Sequence, residues 1–276
     1  MLQLRVQIVV ICIQLRIVFT TLLSILFSFQ IAAATLKLST ATSIANTGLL
    51  SHILPKFTQQ TGIKVDYTAV GSGAALKMGR QGKVDVLLVH APTAKDKYMQ
   101  EGYGNRREFI MFNYFVLVGP KELINSKDLS SSLQLIAKNE LLFFSRGDNS
   151  GTHKKEQVLW ESIKKDPVGE LWYIETGLGM AATLKAADAE QGYILTDRGT
   201  WISTKDQLNL KIVYENDSQL LNPYSAIVVR SLKQKIQTEL ANKFVNWLLS
   251  DQGQNLIATF RVKQQIPFIP KRDQLP

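Results

Sequence analysis

Three short stretches hold most of the residues that could do chemistry. They are Thr40-Ala41-Thr42-Ser43-Ile44-Ala45-Asn46-Thr47-Gly48, Val70-Gly71-Ser72-Gly73 and Ser145-Arg146-Gly147-Asp148-Asn149-Ser150-Gly151-Thr152. Each follows a β-branched apolar run and precedes a helical pattern, so each is expected at the carboxyl end of a strand, opening a helix. Parallel sheets place ligand sites there. A helix N-terminus carries unpaired N–H groups and a partial positive charge, so converging ends make an anion cradle. Rotatable Ser and Thr hydroxyls and the Arg146 fork add donors suited to a tetrahedral anion. The competing reading is local: Ser, Thr and Asn before a helix are commonly N-caps, and Asn46 and Thr47 are expected to be caps. Ser72, Arg146, Ser150 and Thr152 are the stronger ligand candidates. Asp148 is expected to pair with Arg146 or to cap the helix at Gly151.

The elements that must position these loops follow from hydrophobic period. Runs at 36–40, 63–69, 84–90, 109–118, 141–145, 192–196 and 224–229 read as buried strands. Segments 48–60, 74–80, 151–164, 179–190 and 234–249 read as helices. Leu49, Leu50, Ile53, Leu54 and Phe57 share one helix face, and Val158, Leu159 and Ile163 another. This alternation predicts an α/β fold with mostly parallel sheets flanked by helices. Phe115–Pro120 reads as a strand leaving one sheet, and Asn222–Ala226 as one returning. That organisation predicts a first lobe of 35–118 plus 223–276 around a second lobe of 119–222, with hinge motion at the two crossing segments.

The N-terminus reads as an export signal. Residues 1–34 hold Arg5 and Arg16, no acid, an apolar run from Ile17 to Ile31, and Ala32-Ala33-Ala34 as a cleavage region. The expected location is therefore periplasmic. Cys12, the one cysteine, falls inside the signal, so the exported chain offers no thiol for disulfides, metal ligation or catalysis. Losing Arg5 and Arg16 leaves 30 basic against 23 acidic residues, a net of +7. That charge gathers anions. The dispersion of the basic residues and the export signal argue against nucleic acid, and a monomer is expected.

These loops, together with Val84–Pro92, Glu101–Gly104, Trp172–Gly179 and Leu195–Thr200, resemble the periplasmic tungstate-binding proteins of ABC importers. The resemblance runs through most of the chain after residue 34. It implies a two-lobed periplasmic binding protein fold of type II kind, a tungstate or molybdate ligand, no cofactor, and delivery to a membrane permease. The family opens with a Thr-Thr-Thr-Ser run, here Thr40-Ala41-Thr42-Ser43, so Ala41 lacks one hydroxyl. The family's Arg and Thr ligands fall on Arg146 and Thr152. The resulting ligand set is Thr42, Ser43, Ser72, Arg146, Ser150, Gly151, Thr152 and Arg198, with Thr40 and His90 beside it. Arg198 could equally brace a lobe through a salt bridge.

The third loop also resembles that of phosphate-binding proteins, and sulfate is a further candidate of the same fold. Phosphate keeps a proton near neutral pH and wants an acceptor. Phosphate binders place an Asp before the Ala-Pro that follows the third strand, where this chain has His90. Tungstate, molybdate and sulfate are fully deprotonated and want donors alone. A serine hydrolase is the remote alternative, since Gly147-Asp148-Asn149-Ser150-Gly151 has His153 nearby. His153, followed by Lys154 and Lys155, is expected on a solvated face rather than as a general base.

Overall fold

The computed structural model describes residues 34–120, 126–215, 217–230 and 235–273. The export signal up to residue 33, Cys12 included, lies outside them. No described helix is long and apolar enough to cross a membrane.

The first half begins with strand β1 (Thr35–Ala41), helix α1 (Thr42–Asn46) and α2 (Leu49–Thr61). It continues with β2 (Lys64–Val70), α3 (Ser72–Arg80), β3 (Val86–Val89) and α4 (Pro92–Gln100). β1 pairs in parallel with β2 on one side and β3 on the other. A 16-residue strand, β4 (Gly104–Gly119), then runs out of this sheet. After it come α5 (Leu129–Lys138), β5 (Phe143–Ser145), α6 (Gly151–Ser162), β6 (Tyr173–Glu175), α7 (Met180–Ala189), β7 (Tyr193–Asp197), α8 (Arg198–Thr204) and β8 (Lys211–Tyr214). β5 lies parallel to both β6 and β7. The return strand β9 (Leu221–Val229) leads to α9 (Lys235–Leu249), α10 (Asp251–Thr259) and β10 (Ile269–Pro270).

The two sheets are mixed rather than mostly parallel. β9 is antiparallel to β3, and β4 is antiparallel to β7, β8, β9 and β10. The reason lies in the connection: a strand that runs into the sheet from its far side arrives against the direction of its neighbours. β4 is shared. Its residues up to Tyr114 pair with β9, and from Phe115 onward it pairs with β7.

Each sheet is covered on both faces. α2, α9 and α10 pack on one side of the first sheet through Leu50, Phe57, Phe244, Trp247 and Ile257. α3 and α4 cover the other side through Leu76 and Tyr98. In the second sheet Phe143, Trp160 and Trp172 fill one face and Phe144, Leu184 and Trp201 the other. Phe57 makes edge contacts with Phe244 at 5.0 Å and Trp247 at 5.4 Å. Truncating it to Ala is expected to cost about 3–5 kcal/mol.

The α6 face differs from the apolar stripe read in sequence. Thr152, His153, Glu156, Leu159 and Trp160 are buried, whereas Val158 is 55% exposed. The buried side of α6 combines Leu159 and Trp160, which enter the core of the second sheet, with polar Thr152, His153 and Glu156, the last accepting from the Tyr173 hydroxyl of β6.

Candidate functional site

All three donor loops open helices at strand carboxyl ends: α1 after β1, α3 after β2 and α6 after β5. Their capping chemistry separates them. The N-cap positions of α1 and α3 are Ala41 and Gly71, and neither helix has a side-chain cap. Their first N–H groups are therefore left for something else. Ser150 does cap α6, its Oγ accepting from the His153 N–H at 3.3 Å. Asn46 and Thr47 are not N-caps. Asn46 ends α1, and the Thr47 hydroxyl donates back to the Ile44 carbonyl at 2.8 Å, because Gly48 takes the N-cap of α2.

A continuous set of contacts brings the loops together. The Ser43 and Tyr224 hydroxyls are 3.2 Å apart. Tyr224 packs on the His90 ring at 5.1 Å between centroids, with Phe115 on His90 at 6.2 Å. A Cβ on Gly151 would lie 2.5 Å from His90 Cε1, so only glycine lets the α6 backbone approach the imidazole. The space at Gly73 meets the Asn149 carbonyl at 3.6 Å, joining the second loop to the third. Buried Ser72 adds a hydroxyl with no partner among the described residues.

Arg146 is 8% exposed. Its Nη2 donates to Asp148 Oδ2 at 2.5 Å and its Nε to the Leu178 carbonyl at 3.3 Å. Asp148 Oδ1 also accepts from the Ser150 N–H at 3.1 Å, so Asp148 takes the expected pairing with Arg146 while the cap of α6 falls to Ser150. Burial pushes the Asp148 carboxyl up, but the Ser150 and Arg146 interactions outweigh it and hold it below the ordinary range. Gly147 has φ +60°, and a Cβ there would meet Glu175 Cβ at 2.9 Å. His153 is buried rather than solvated, and its Nδ1 accepts from the Asn149 N–H at 3.1 Å. The ring thus braces the loop. The Ser150 hydroxyl bonds the His153 backbone, not its imidazole, so no nucleophile–base pair forms between these side chains.

His90 is pushed down to about 3, first by burial and then by the charges of Lys95 and Arg146, while an Asn222 hydrogen bond acts the other way. It is neutral at neutral pH. The one buried carboxylate that senses Arg146 from β7, Asp197, is engaged by Thr200 through N–H at 2.9 Å and hydroxyl at 2.6 Å. Thr42 opens α1, and Thr152 is buried in the first turn of α6. Thr40 is turned into the sheet, donating to the Leu88 carbonyl at 2.9 Å. Arg198 forms the bracing salt bridge, to Glu215.

Sequence reading missed a polar group from the crossing strands. Asn222 Nδ2 donates to Asn113 Oδ1 at 2.8 Å and to the Tyr224 hydroxyl at 3.1 Å. Asn113 Nδ2 is buried without a partner among the described residues. Two facing asparagines on apolar strands were the available signal, since such a pair is costly to bury unless it is used.

The sequence profile of the PBP superfamily domain matches residues 30–252. The chain is 42% identical over 238 residues to the tungstate-binding protein TupA of Peptoclostridium acidaminophilum, covering 83% of this chain and 82% of that one. The chain belongs to the TupA family of the PBP superfamily. Solved structures agree. The tungstate-binding protein TupA from Desulfovibrio alaskensis G20 superposes with a TM-score of 0.77 at 43% identity, covering 87% of this chain and 99% of that one. The tungstate ABC transporter structure from Geobacter sulfurreducens gives 0.75 at 40% identity, over 82% and 98%. Within this TupA-family chain, Ala41 occupies the α1 N-cap position, so the missing hydroxyl leaves that helix start without a side-chain cap.

Proposed function

We propose that this chain captures tungstate between its two sheets and hands it to the permease of an ABC importer. One observation carries the reading: three donor loops are linked near a neutral His90, with the buried Ser72 hydroxyl and Asn113 amide unpartnered among the described residues and the nearby carboxylates engaged by Ser150 and Thr200. A fully deprotonated dianion wants donors and no free acceptor. The names of the matched relatives support tungstate. Molybdate has nearly the same size and charge and is the second ligand of this reading. The ligand set is Thr42, Ser43, Ser72, Arg146, Ser150, Gly151 and Thr152, joined by Asn113 and Tyr224.

The same reading makes the protein a periplasmic monomer that binds rather than catalyses. Its lobes, 35–118 plus 223–276 and 119–222, close by bending where β4 and β9 pass between the sheets. Its support is an inter-sheet cavity of about 210 Å³ lined by His90, Phe115 and Asn222 and by Gly151, Lys154 and Val158 of α6. Thermal melts with tungstate, molybdate, sulfate and phosphate test it. A ligand at 100 times its Kd adds about 2.7 kcal/mol of stability. A shift with phosphate alone would reject the donor-only site.

A further inference from the structure

Only two Lys or Arg side chains are buried among the described residues, Lys95 and Arg146. Arg146 has Asp148 against it. Lys95, on α4 and 3% exposed, has no salt bridge among the described residues. Its Nζ donates to the Pro223 carbonyl at 3.1 Å and to the Ser225 hydroxyl at 2.9 Å. The acid next to it, Asp96, is tied instead to Arg107. An ammonium buried with neutral partners alone is a poor structural choice. Its position explains what it could serve. Residues 223 and 225 flank Tyr224, whose hydroxyl meets Ser43, and α4 starts at Pro92, two residues after His90.

We infer that Lys95 is a positioning charge for the oxyanion site, supplying from behind His90 the uncompensated positive charge that Arg146, neutralised by Asp148, does not. This rests on the tungstate reading of the same site. The Lys95 charge acts on His90 more strongly than that of Arg146 does. The charged and titratable groups that interact with Lys95 are Asp96 on its own helix, Arg107 on β4 and His90 just after β3. Burial, then the Arg107 charge, lowers Lys95 to about 8, against a smaller opposite effect of Asp96. The site charge is therefore present at neutral pH and lost above about 8, while tungstate stays a dianion throughout.

The test is calorimetric titration of sodium tungstate into the wild type, Lys95→Met and Lys95→Arg between pH 7 and 9.5. Lys95→Met should bind about tenfold more weakly at pH 7, equivalent to about 1.4 kcal/mol. Wild-type affinity should fall by a similar factor as pH rises through 8, while Lys95→Arg holds within about twofold. Glu156, raised to about 8 mainly by burial, is unchanged in both variants and cancels from the comparison. Parallel pH profiles for wild type and Lys95→Arg overturn the inference even if Lys95→Met does not fold. So does wild-type affinity in Lys95→Met. A wild type that fails to bind tungstate at pH 7 instead rejects the reading of the whole site, and this inference with it.

Discussion

The second and third donor loops sit against each other, with the space at Gly73 facing the Asn149 carbonyl, yet they are built on opposite plans. In the third loop nearly every polar group is engaged. Arg146 holds Asp148, Asp148 holds the Ser150 N–H, Ser150 holds the His153 N–H, and His153 holds the Asn149 N–H. Below it Ser145 Oγ accepts from the Gly147 N–H. In the second loop Gly71 caps nothing and the Ser72 hydroxyl has no partner among the described residues. In the proposed site a ligand would meet a preorganised wall on one side and open donors on the other. The first arrangement lowers the entropy lost on binding. The second leaves groups whose hydrogen bonds, in the proposed site, would be made when the ligand arrives.

Breaking the preorganised side should have the largest effect. Arg146→Ala removes a charged donor and leaves Asp148 without its partner. We expect tungstate affinity to fall by about 3 kcal/mol or more, over a hundredfold, by calorimetric titration. Unchanged affinity would exclude Arg146 from the site. Gly151→Ala comes next, since its Cβ must displace the His90 ring. A penalty of about 1–3 kcal/mol is expected in the melting of the ligand-free protein, and a stability equal to wild type would mean that His90 does not pack on α6.

Ser72→Ala probes the open side. It should weaken binding by about 1–2 kcal/mol while leaving the ligand-free melting temperature unchanged or raised, because no bond is lost in that state. A lower ligand-free melting temperature would place Ser72 among the engaged groups. Glu156→Gln should affect binding least at pH 7. Glu156 accepts from the Tyr173 hydroxyl at 2.6 Å, and burial raises it to about 8, so the folded protein holds a proton that the unfolded chain releases near 4.5. Wild-type stability should therefore decline from about pH 4.5 to pH 8 relative to Glu156→Gln. Parallel melting curves across that range would show that Glu156 is ionised in the fold.

The three loops were legible because their signal is local: a Ser/Thr- or Gly-containing turn between an apolar strand and an amphipathic helix. Arg146, Ser150 and Asp148 carried it in a single stretch. The helix face containing Val158 was misread for a physical reason. Helical period identifies a stripe but not what faces it, and the buried side of α6 carries His153 and Glu156, bonded to Asn149 and Tyr173, beside core Leu159 and Trp160. Asn113, Asn222 and Tyr224 escaped because their partnership joins two strands more than 100 residues apart in sequence, as the 109-residue separation of Asn113 and Asn222 shows.

The amino-acid sequence by itself determined the alternation of strands and helices, the loops that open α3 and α6, and that Asp148 has a local role, either pairing with Arg146 or capping the helix. Each depends on residues a few positions apart, within reach of local sterics and hydrogen bonding. Tertiary structure alone decided which hydroxyls stay free, that His90 is neutral, that Arg198 goes to Glu215, and that Lys95 is buried beside the returning strand. Those properties depend on desolvation and on partners separated by as many as 181 residues, as Ser43 and Tyr224 are.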